Sequence, residues 1–215
     1  RAATFIASQP EKPVNIVSAL AEVDAKIERI ISLAGGALTQ AGYERPPVKQ
    51  RLNEARQAMS VNGAAVRDAA AIEKLISNVR AQLMNYSEQV GITGPQELPE
   101  FYRLRDTLLS QLCYLNAMSD YVHNGGLSRG SALYTDANGE KPLDALPESC
   151  RHIVAEGAVC SDENTAAIRA GKLVQEVSLD GLKCNCKWRA VRPIPEDDDF
   201  FENVWREYRE DGGVR

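Results

Sequence analysis

Hydrophobic residues in the first 123 positions recur at alternating steps of three and four, which is the spacing of one helix face. The first such stripe consists of Ile16, Leu20, Val23, Ile27, Ile30 and Ala34. Gly35-Gly36 follows it directly, and paired glycines favour the end of a helix over its continuation. The pattern therefore predicts an amphipathic helix that stops at this glycine pair.

Two more stripes follow before residue 95. Pro46-Pro47 suits the first turn of a helix, and Asn62-Gly63 marks an interruption after it. The stripe between these signals consists of Val48, Leu52, Ala55 and Met59. The next stripe, ended by Gly91 and Gly94-Pro95, consists of Val66, Ala69, Ile72, Ile76, Val79, Leu83, Tyr86 and Val90.

Residues 99–123 form the fourth predicted helix, which is apolar on most of its sides. Leu104, Leu108, Leu112, Leu115 and Val122 lie near one face, and Leu109, Cys113, Met118 and Tyr121 widen the apolar surface. Such a helix is typically central and covered by several neighbours. Asn124-Gly125-Gly126 then gives a strong stop signal.

The character of the chain changes after this stop. Residues 136–139 are predicted to form a turn, and residues 143–160 to be irregular or weakly helical. Residues 172–191 predict a β-hairpin, because Asp180-Gly181 is a favoured two-residue turn. The return strand alternates Leu182, Cys184, Cys186 and Trp188 with polar and basic residues, as a half-buried strand does.

An acidic run at 196–199 precedes aromatic residues, which predicts a short terminal helix over 197–210. The fold class expected is mainly α: an antiparallel bundle of three to four helices, then a small β-hairpin and this short C-terminal helix. The bundle is assigned to 11–135 and the tail to 136–215. All helix stripes are expected to pack into one core, with one apolar face left exposed or covered by a neighbouring molecule.

Composition narrows the classes of function. The 215 residues are 44% hydrophobic and 26% charged, with 25 basic against 30 acidic residues. A mildly acidic chain without a long basic run is a poor candidate for binding nucleic acid or anionic membranes. No apolar segment approaches the roughly 20 residues of a membrane span. The odd number of cysteines, five, favours a reducing, cytoplasmic compartment.

Motifs for nucleotide binding are missing from the sequence. Gly35-Gly36 and Gly125-Gly126 both follow predicted helices, whereas a dinucleotide fingerprint follows a strand and opens a helix. His123 and His152, the two histidines, lack spacing to a nucleophile and an acid that would indicate a catalytic triad. We therefore expect both histidines to have structural roles.

Cys184 and Cys186 are the best candidates for a metal site, because residues two apart on a strand point to the same side. Cys150 and Cys160 could complete four ligands. Structural zinc sites, however, usually place two to four residues between paired ligands. The alternative, which we favour, is that the strand cysteines are small apolar side chains.

Ser128-Arg129-Gly130 follows the predicted central helix directly. Flanking glycines let the backbone approach another surface, where Arg129 could pair with a carboxylate. A helix-ending loop with a solvated arginine explains the same residues equally well.

These residues also carry a family resemblance. Leu104-Arg105-Asp106, Leu108-Leu109, Ala117 and then Ser128-Arg129-Gly130 resemble the C-terminal helical domain of the succinate dehydrogenase/fumarate reductase flavoprotein family. Residues 52–59, followed by Gly63, Val66 and Arg67, are similar to an earlier helix of that domain. Residues 1–10 are similar to the end of the flavin-domain helix that precedes it. Leu127 departs from the family, which usually has an acid there. Residues 131–135 replace the family's aromatic- and acid-rich continuation, and the tail with Cys184 and Cys186 does not match.

The resemblance implies a division of labour within a longer FAD-dependent oxidoreductase. The FAD and the catalytic residues would lie in other domains, so no catalytic or cofactor-binding residue is carried over to this chain, which alone would be inactive. Ser128, Arg129 and Gly130 carry over as structural or interface residues. The implied partner is the flavin-binding domain of the same parent chain, which would dock on the apolar face left exposed. Such a face would also allow self-association.

Two other classes of function are compatible with the sequence. One is a stand-alone helical interaction module, with a structural zinc on the four candidate cysteines. The other is a complete small enzyme that uses one of its two histidines.

Overall fold

The computed structural model of the protein describes residues 16–38, 46–129, 132–141, 143–153 and 163–191. These residues are mainly helical, with two small two-stranded sheets, which confirms the predicted fold class at this level. The helices are α1 (Ile16–Leu38), α2 (Val48–Asn62), α3 (Ala69–Met84), α4 (Tyr86–Gln89), α5 (Leu98–His123) and α6 (Glu163–Arg169). The strands are β1 (Val66–Asp68), β2 (Leu133–Glu140), β3 (Leu173–Asp180) and β4 (Lys183–Ala190), and single 3-10 turns lie at Pro95–Glu97 and Glu148–Cys150.

The chain divides into two compact units. The described residues of the first lie within Arg1–Gln57 and Ala81–Leu109. Its core is made of predicted stripe residues together with aromatic side chains. The buried members are Ala34, Ala37, Val48, Leu52, Ala55, Leu83, Tyr86, Val90, Ile92, Phe101, Leu104 and Leu108. The hydroxyl of Tyr86 donates to the carbonyl of Phe101, and the two ring centroids are 4.8 Å apart.

The second unit has its described residues within Ala58–Arg80 and Ser110–Arg215. Its buried apolar residues are Ile72, Leu75, Ile76, Val79, Leu112, Leu115, Leu127, Tyr134 and Ile168. Strands β1 and β2 pair in parallel, with Val66 beside Leu133. Strands β3 and β4 pair antiparallel as the predicted hairpin.

The hairpin turn lies one residue later than predicted. Asp180 pairs with Lys183, so the two central residues are Gly181 and Leu182. Gly181 has a φ of 60°, which a glycine adopts without steric cost at the first central position of such a turn. Beyond the turn the prediction holds for Cys184, Cys186 and Trp188, which are half-buried, and for the basic residues Lys183, Lys187 and Arg189, which are exposed. Asn185, predicted on the outer face, is half-buried as well.

The predicted stop at Gly35-Gly36 is wrong, because α1 continues through both glycines to Leu38. A Cβ atom on Gly36 would lie 3.2 Å from the Cβ of Ser87. The glycine therefore provides a close approach between α1 and α4 in place of a helix end. This is a tertiary effect that local glycine statistics do not contain.

Two further local predictions are wrong for a shared reason. Val66 belongs to β1 and not to a helical stripe, and residues 136–139 lie within β2 and not in a turn. Val66 pairs with Leu133, far away in the sequence, and residues 136–139 lie between two backbone bridges to His152, from Thr135 and Glu140. In both segments tertiary pairing overrides local preference. Helix α6 was not predicted at all.

All helix stripes were expected to pack into one core, but most of the stripe on α1 does not pack into a core. Ile16, Val17, Leu20, Val23, Ile27, Ile30 and Ile31, which we call the α1 stripe, are all exposed. One apolar face is therefore left open, as the sequence predicted. The predicted irregular character of 143–160 holds where the structure describes it, at 143–153.

Several sequence predictions lie outside the described residues. They are the helical end of a flavin domain at 1–10, the terminal helix at 197–210, Cys160 and Gly130. Within the described ranges, no helix combines the length and the apolar character that crossing a bilayer requires.

Candidate functional site

The parallel pair β1–β2 joins two segments that are 67 residues apart in the sequence. The Leu133 amide donates to the carbonyl of Ala65 at 2.7 Å. On one side of the pair, Nη1 of Arg67 donates to Oη of Tyr134 at 3.0 Å, and the guanidinium lies 5.5 Å from the centre of that ring. A hydrogen bond and a cation–π contact together fix the register of the two segments.

The opposite side of the pair is exposed. Val66 is 56% exposed and its register partner Leu133 is 38% exposed. Next along the strands, the hydroxyl of Thr135 donates to a carboxylate oxygen of Asp68 at 3.1 Å. This side therefore presents two adjacent apolar side chains to solvent.

Ser128 ties the loop after α5 to β2. Its hydroxyl accepts from the amide of Tyr134 at 2.9 Å, and its own amide donates to the carbonyl of Ile153 at 3.1 Å. Ser128 is half-buried. These contacts give Ser128 a structural role in joining the loop to β2.

Arg129 lies beside Ser128 but is exposed. Its backbone exchanges hydrogen bonds with Ala132 at 3.0 and 3.1 Å. A Cβ atom on Gly171 would lie 3.4 Å from Nη2 of Arg129, so the guanidinium rests against this glycine. Among the described residues, the ion pairs found do not include Arg129. The side chain therefore presents its charge to solvent near Gly171, while its backbone pairs with Ala132, directly before β2.

The hairpin lies on the C-terminal half of α5 and brings three cysteines together. The Cys184 thiol is 3.7 Å from the carbonyl of Leu112, and the Cys186 thiol is 3.9 Å from the carbonyl of Asn116. Cys113 of α5 is the third thiol. Burial, followed by the neighbouring Cys113, raises the pKa of Cys184 to about 11. Burial, followed by the negative charge of Asp120, raises the pKa of Cys186.

This cluster is not the four-cysteine set that the sequence suggested. Cys150 belongs to the 3-10 turn Glu148–Cys150. No group of three or more His, Cys, Asp or Glu residues within the described ranges could hold a metal ion. Burial favours the neutral thiols of Cys184 and Cys186, whereas cysteine binds zinc as the thiolate. In this environment they act as small, weakly polar residues at a packed interface.

Asp120 fixes the hairpin to α5 more firmly than the thiols do. Its Oδ2 accepts from Nε2 of Gln175 at 2.7 Å and from Nε1 of Trp188 at 2.9 Å. Hydrogen bonds to an ionised acceptor are stronger than those between neutral groups. Tyr121 packs nearby, with its ring centroid 6.4 Å from that of Trp188. Neither Asp120 nor Cys113 belongs to a motif that marks a site in the sequence, although Cys113 lies on the apolar surface of the predicted central helix.

The two histidines have backbone partners. Nδ1 of His123 lies 2.8 Å from the carbonyl of Ser119 and 4.0 Å from Oε1 of Glu73. Ser119 donates from its hydroxyl to Glu73. Ser119 and Glu73 thus both lie at Nδ1 of His123. In a catalytic triad the serine and the acid contact different nitrogens of the histidine ring. His152 is buried, with Nδ1 3.2 Å from the carbonyl of Cys150.

Comparison of the chain with protein-family models, with curated proteins and with solved structures gave no match. Function is therefore inferred from the residues and their contacts. Three features are available for this: the face of β1–β2 beside Arg129, the hairpin interface on α5, and the α1 stripe. The first two belong to the second unit and the third to the first unit.

Proposed function

We propose that this chain is the C-terminal helical domain of an FAD-dependent oxidoreductase of the succinate dehydrogenase/fumarate reductase flavoprotein type. As a helical bundle it packs on the flavin-binding domain of the parent protein, which holds the FAD. The domain itself contributes no catalytic residue. Its role is to support the flavin domain and to form part of its surface.

One observation carries the proposal. The resemblance includes two short segments that are far apart in the sequence, one with Gly63, Val66 and Arg67 and the other with Ser128-Arg129, which lies shortly before β2. The register of β1 and β2 places Val66 beside Leu133 and Arg67 beside Tyr134. The hydroxyl of Ser128 accepts from the amide of Tyr134, so the two segments are held together through β2. Their proximity in the fold supports reading them as parts of one functional surface.

The same pairing suggests where the flavin domain docks. Val66 and Leu133 form an exposed apolar pair, and Arg129 carries an exposed positive charge near the start of β2. Interfaces between domains of one chain combine apolar contacts with polar groups at the rim. We therefore assign the exposed face of β1–β2 as the docking face.

The experiment determines the reading frame that encodes this chain and purifies the complete product. The proposal expects a Gly-x-Gly-x-x-Gly fingerprint upstream of Arg1, and about one flavin per chain after acid extraction. A Val66→Glu variant of that product is expected to lose flavin or to release it at lower temperature. The matched control is Val174→Glu, because Val174 is 39% exposed on β3 and lies away from this pair in sequence. A complete product without the fingerprint and without flavin overturns the proposal.

A second candidate is a stand-alone helical interaction module, which the exposed α1 stripe favours. Its zinc version needs Cys160 to join Cys150, Cys184 and Cys186. Elemental analysis of the purified chain separates this version from the first proposal. The zinc version would be supported by one equivalent of zinc in the unmodified chain. This zinc should be lost in the Cys184→Ser and Cys186→Ser variants and kept in Cys113→Ser.

A further inference from the structure

The N-terminal two thirds of α1 is exposed on every side. Each of residues 16–32 is exposed, whereas Ala34 and Ala37 further along the same helix are buried in the first unit. In water an isolated helix of about 15 residues is marginal, and most helices are stabilised by packing an apolar face. Within the described residues, the exposed part of α1 therefore has no neighbour that buries its apolar face, although a helix of this length needs one.

The α1 stripe has the spacing of a coiled-coil seam. Ile16, Leu20, Val23, Ile27 and Ile30 follow one another at steps of four, three, four and three, which are alternating d and a positions of a heptad repeat. Val17 and Ile31 occupy e positions and widen the seam. Ala34 and Ala37 are the next a and d positions, and their burial ends the free seam. A surface with this spacing fits another helix with the same spacing.

The exposed area matches what association needs. The seven residues of the α1 stripe are between 47% and 78% exposed. Their exposed surface is on the order of 700 Å² per copy, close to the ~800 Å² per partner of a standard interface. A patch of this size is larger than most exposed apolar patches on monomeric proteins.

Charges beside the seam select the orientation. In an antiparallel pair centred near residue 25, Asp24 would face Asp24 of the other copy, and Lys26 would face Lys26. Like charges at flanking positions disfavour that arrangement. In a parallel pair in register, Lys26 lies beside Ile31 of the neighbour and Asp24 beside Ala19, so the like-charge contacts disappear. Leu20 at an a position with Ile16 and Ile30 at d positions favours more than two strands.

We propose that the α1 stripe binds the α1 stripe of other copies of this chain, in a parallel and in-register coiled coil. The occupant is thus this same chain, in a bundle of two or more α1 helices, and the residues involved differ from those of the docking face assigned to the flavin domain. The proposal does not depend on the flavoprotein assignment, because its test measures molecular mass in solution and not flavin content.

Sedimentation equilibrium of the full chain between about 1 and 100 µM tests the proposal, since short seams associate in that range. The variant Val23→Glu places a charge in the seam. Its matched control, Ala25→Glu, places the same charge at an f position of the same helix. We expect the unmodified chain and A25E to associate, and V23E to lose at least about tenfold in association constant because the buried charge is unpaired.

Mixing two variants tests the orientation and guards against a simple folding defect. V23E and V23K are each expected to be monomeric alone, and to associate when mixed, because residue 23 faces residue 23 only in a parallel, in-register seam. A chain that stays monomeric at the highest concentration overturns the proposal. Equal association of the unmodified chain and V23E also overturns it, as does the absence of recovery in the V23E and V23K mixture.

Discussion

The indole nitrogen of Trp188 donates a hydrogen bond to the carboxylate of Asp120 at 2.9 Å, which connects β4 to α5. Gln175 on β3 donates to the same oxygen at 2.7 Å. Both strands of the hairpin are therefore held by one acceptor on the helix. All three side chains are partly buried at this contact, where an unpaired donor is costly.

Replacing Asp120 with alanine is expected to destabilise the second unit by about 1–3 kcal/mol, because two partly buried donors lose their charged acceptor. The measurement is urea unfolding followed by far-UV circular dichroism. Glu176→Ala is the control on the same hairpin, since Glu176 pairs with Arg189 where both side chains are 53% exposed. Exposed pairs contribute less than about 1 kcal/mol. Equal losses in the two variants would contradict the role given to Asp120.

Alkylation rates test the environment of the thiols. With a pKa of about 11 for Cys184, about one thiol in a thousand is ionised at pH 8. The thiolate is the reactive form, so iodoacetamide is expected to modify Cys184 at least about tenfold more slowly in the folded chain than in urea. Peptide mass spectrometry gives the rate at each cysteine.

The direction of the pH effect on stability follows from the same shift. The neutral thiol of Cys184 is favoured in the folded state, so its contribution is fully present below about pH 9 and is lost as the pH rises towards about 11. Cys184→Ala is expected to make the stability of the second unit less dependent on pH in this window. In the alkylation experiment, equal rates of modification of Cys184 in the folded chain and in urea would contradict the burial of its thiol.

Much of the helical framework could be predicted from the sequence, because helix periodicity is a local signal. Leu104, Leu108, Leu112 and Leu115 were assigned to one face of a central helix, and all four are buried. The failures depend on contacts between distant residues. Gly36 looked like a helix end because Ser87, the residue it approaches, is 51 positions away.

The candidate sites were predicted less well than the helices, for the same physical reason. Cys184 and Cys186 share a strand face, as their spacing predicts, but their third neighbour, Cys113, depends on how the hairpin lies on α5. The pairing of β1 with β2 could not be predicted from local sequence either. Val66 fits a helical stripe by its spacing, and only its contact with Leu133 identifies it as a strand residue.

Tyr86 in the first unit provides a test on the alkaline side of neutrality. Burial raises the pKa of Tyr86 well above its ordinary value, and its hydroxyl donates to the carbonyl of Phe101. Tyr86→Phe is expected to cost about 0.5–1.5 kcal/mol at pH 7, because one buried hydrogen bond is lost.

At alkaline pH the Tyr86→Phe substitution is expected to become stabilising, whereas it is destabilising at pH 7. The neutral phenol is favoured in the folded state, so its contribution is present below the ordinary pKa near 10 and is lost as the pH rises above it. The variant is therefore expected to resist alkaline unfolding better, relative to its stability at pH 7. Absorbance at 295 nm during an alkaline titration should show one tyrosine that ionises only with unfolding. Ionisation of every tyrosine before unfolding would exclude this burial.

A final prediction compares two glycines that are replaced by alanine with opposite results. Gly125, just after α5, has a φ of 78°, and a Cβ there would lie 2.6 Å from Cγ2 of Thr165. Strain and overlap together are expected to cost about 1–3 kcal/mol in Gly125→Ala.

Gly35 lies inside α1, and a Cβ there would have no atom within 4 Å. Gly35→Ala is expected to stabilise the first unit by about 0.5–1 kcal/mol, because alanine restricts the unfolded chain and favours helix. Thermal unfolding of both variants beside the unmodified chain gives the comparison. Destabilisation by Gly35→Ala would mean that α1 does not continue through the glycine pair, and the seam proposed on its exposed part would then lose its continuity with the buried Ala34 and Ala37.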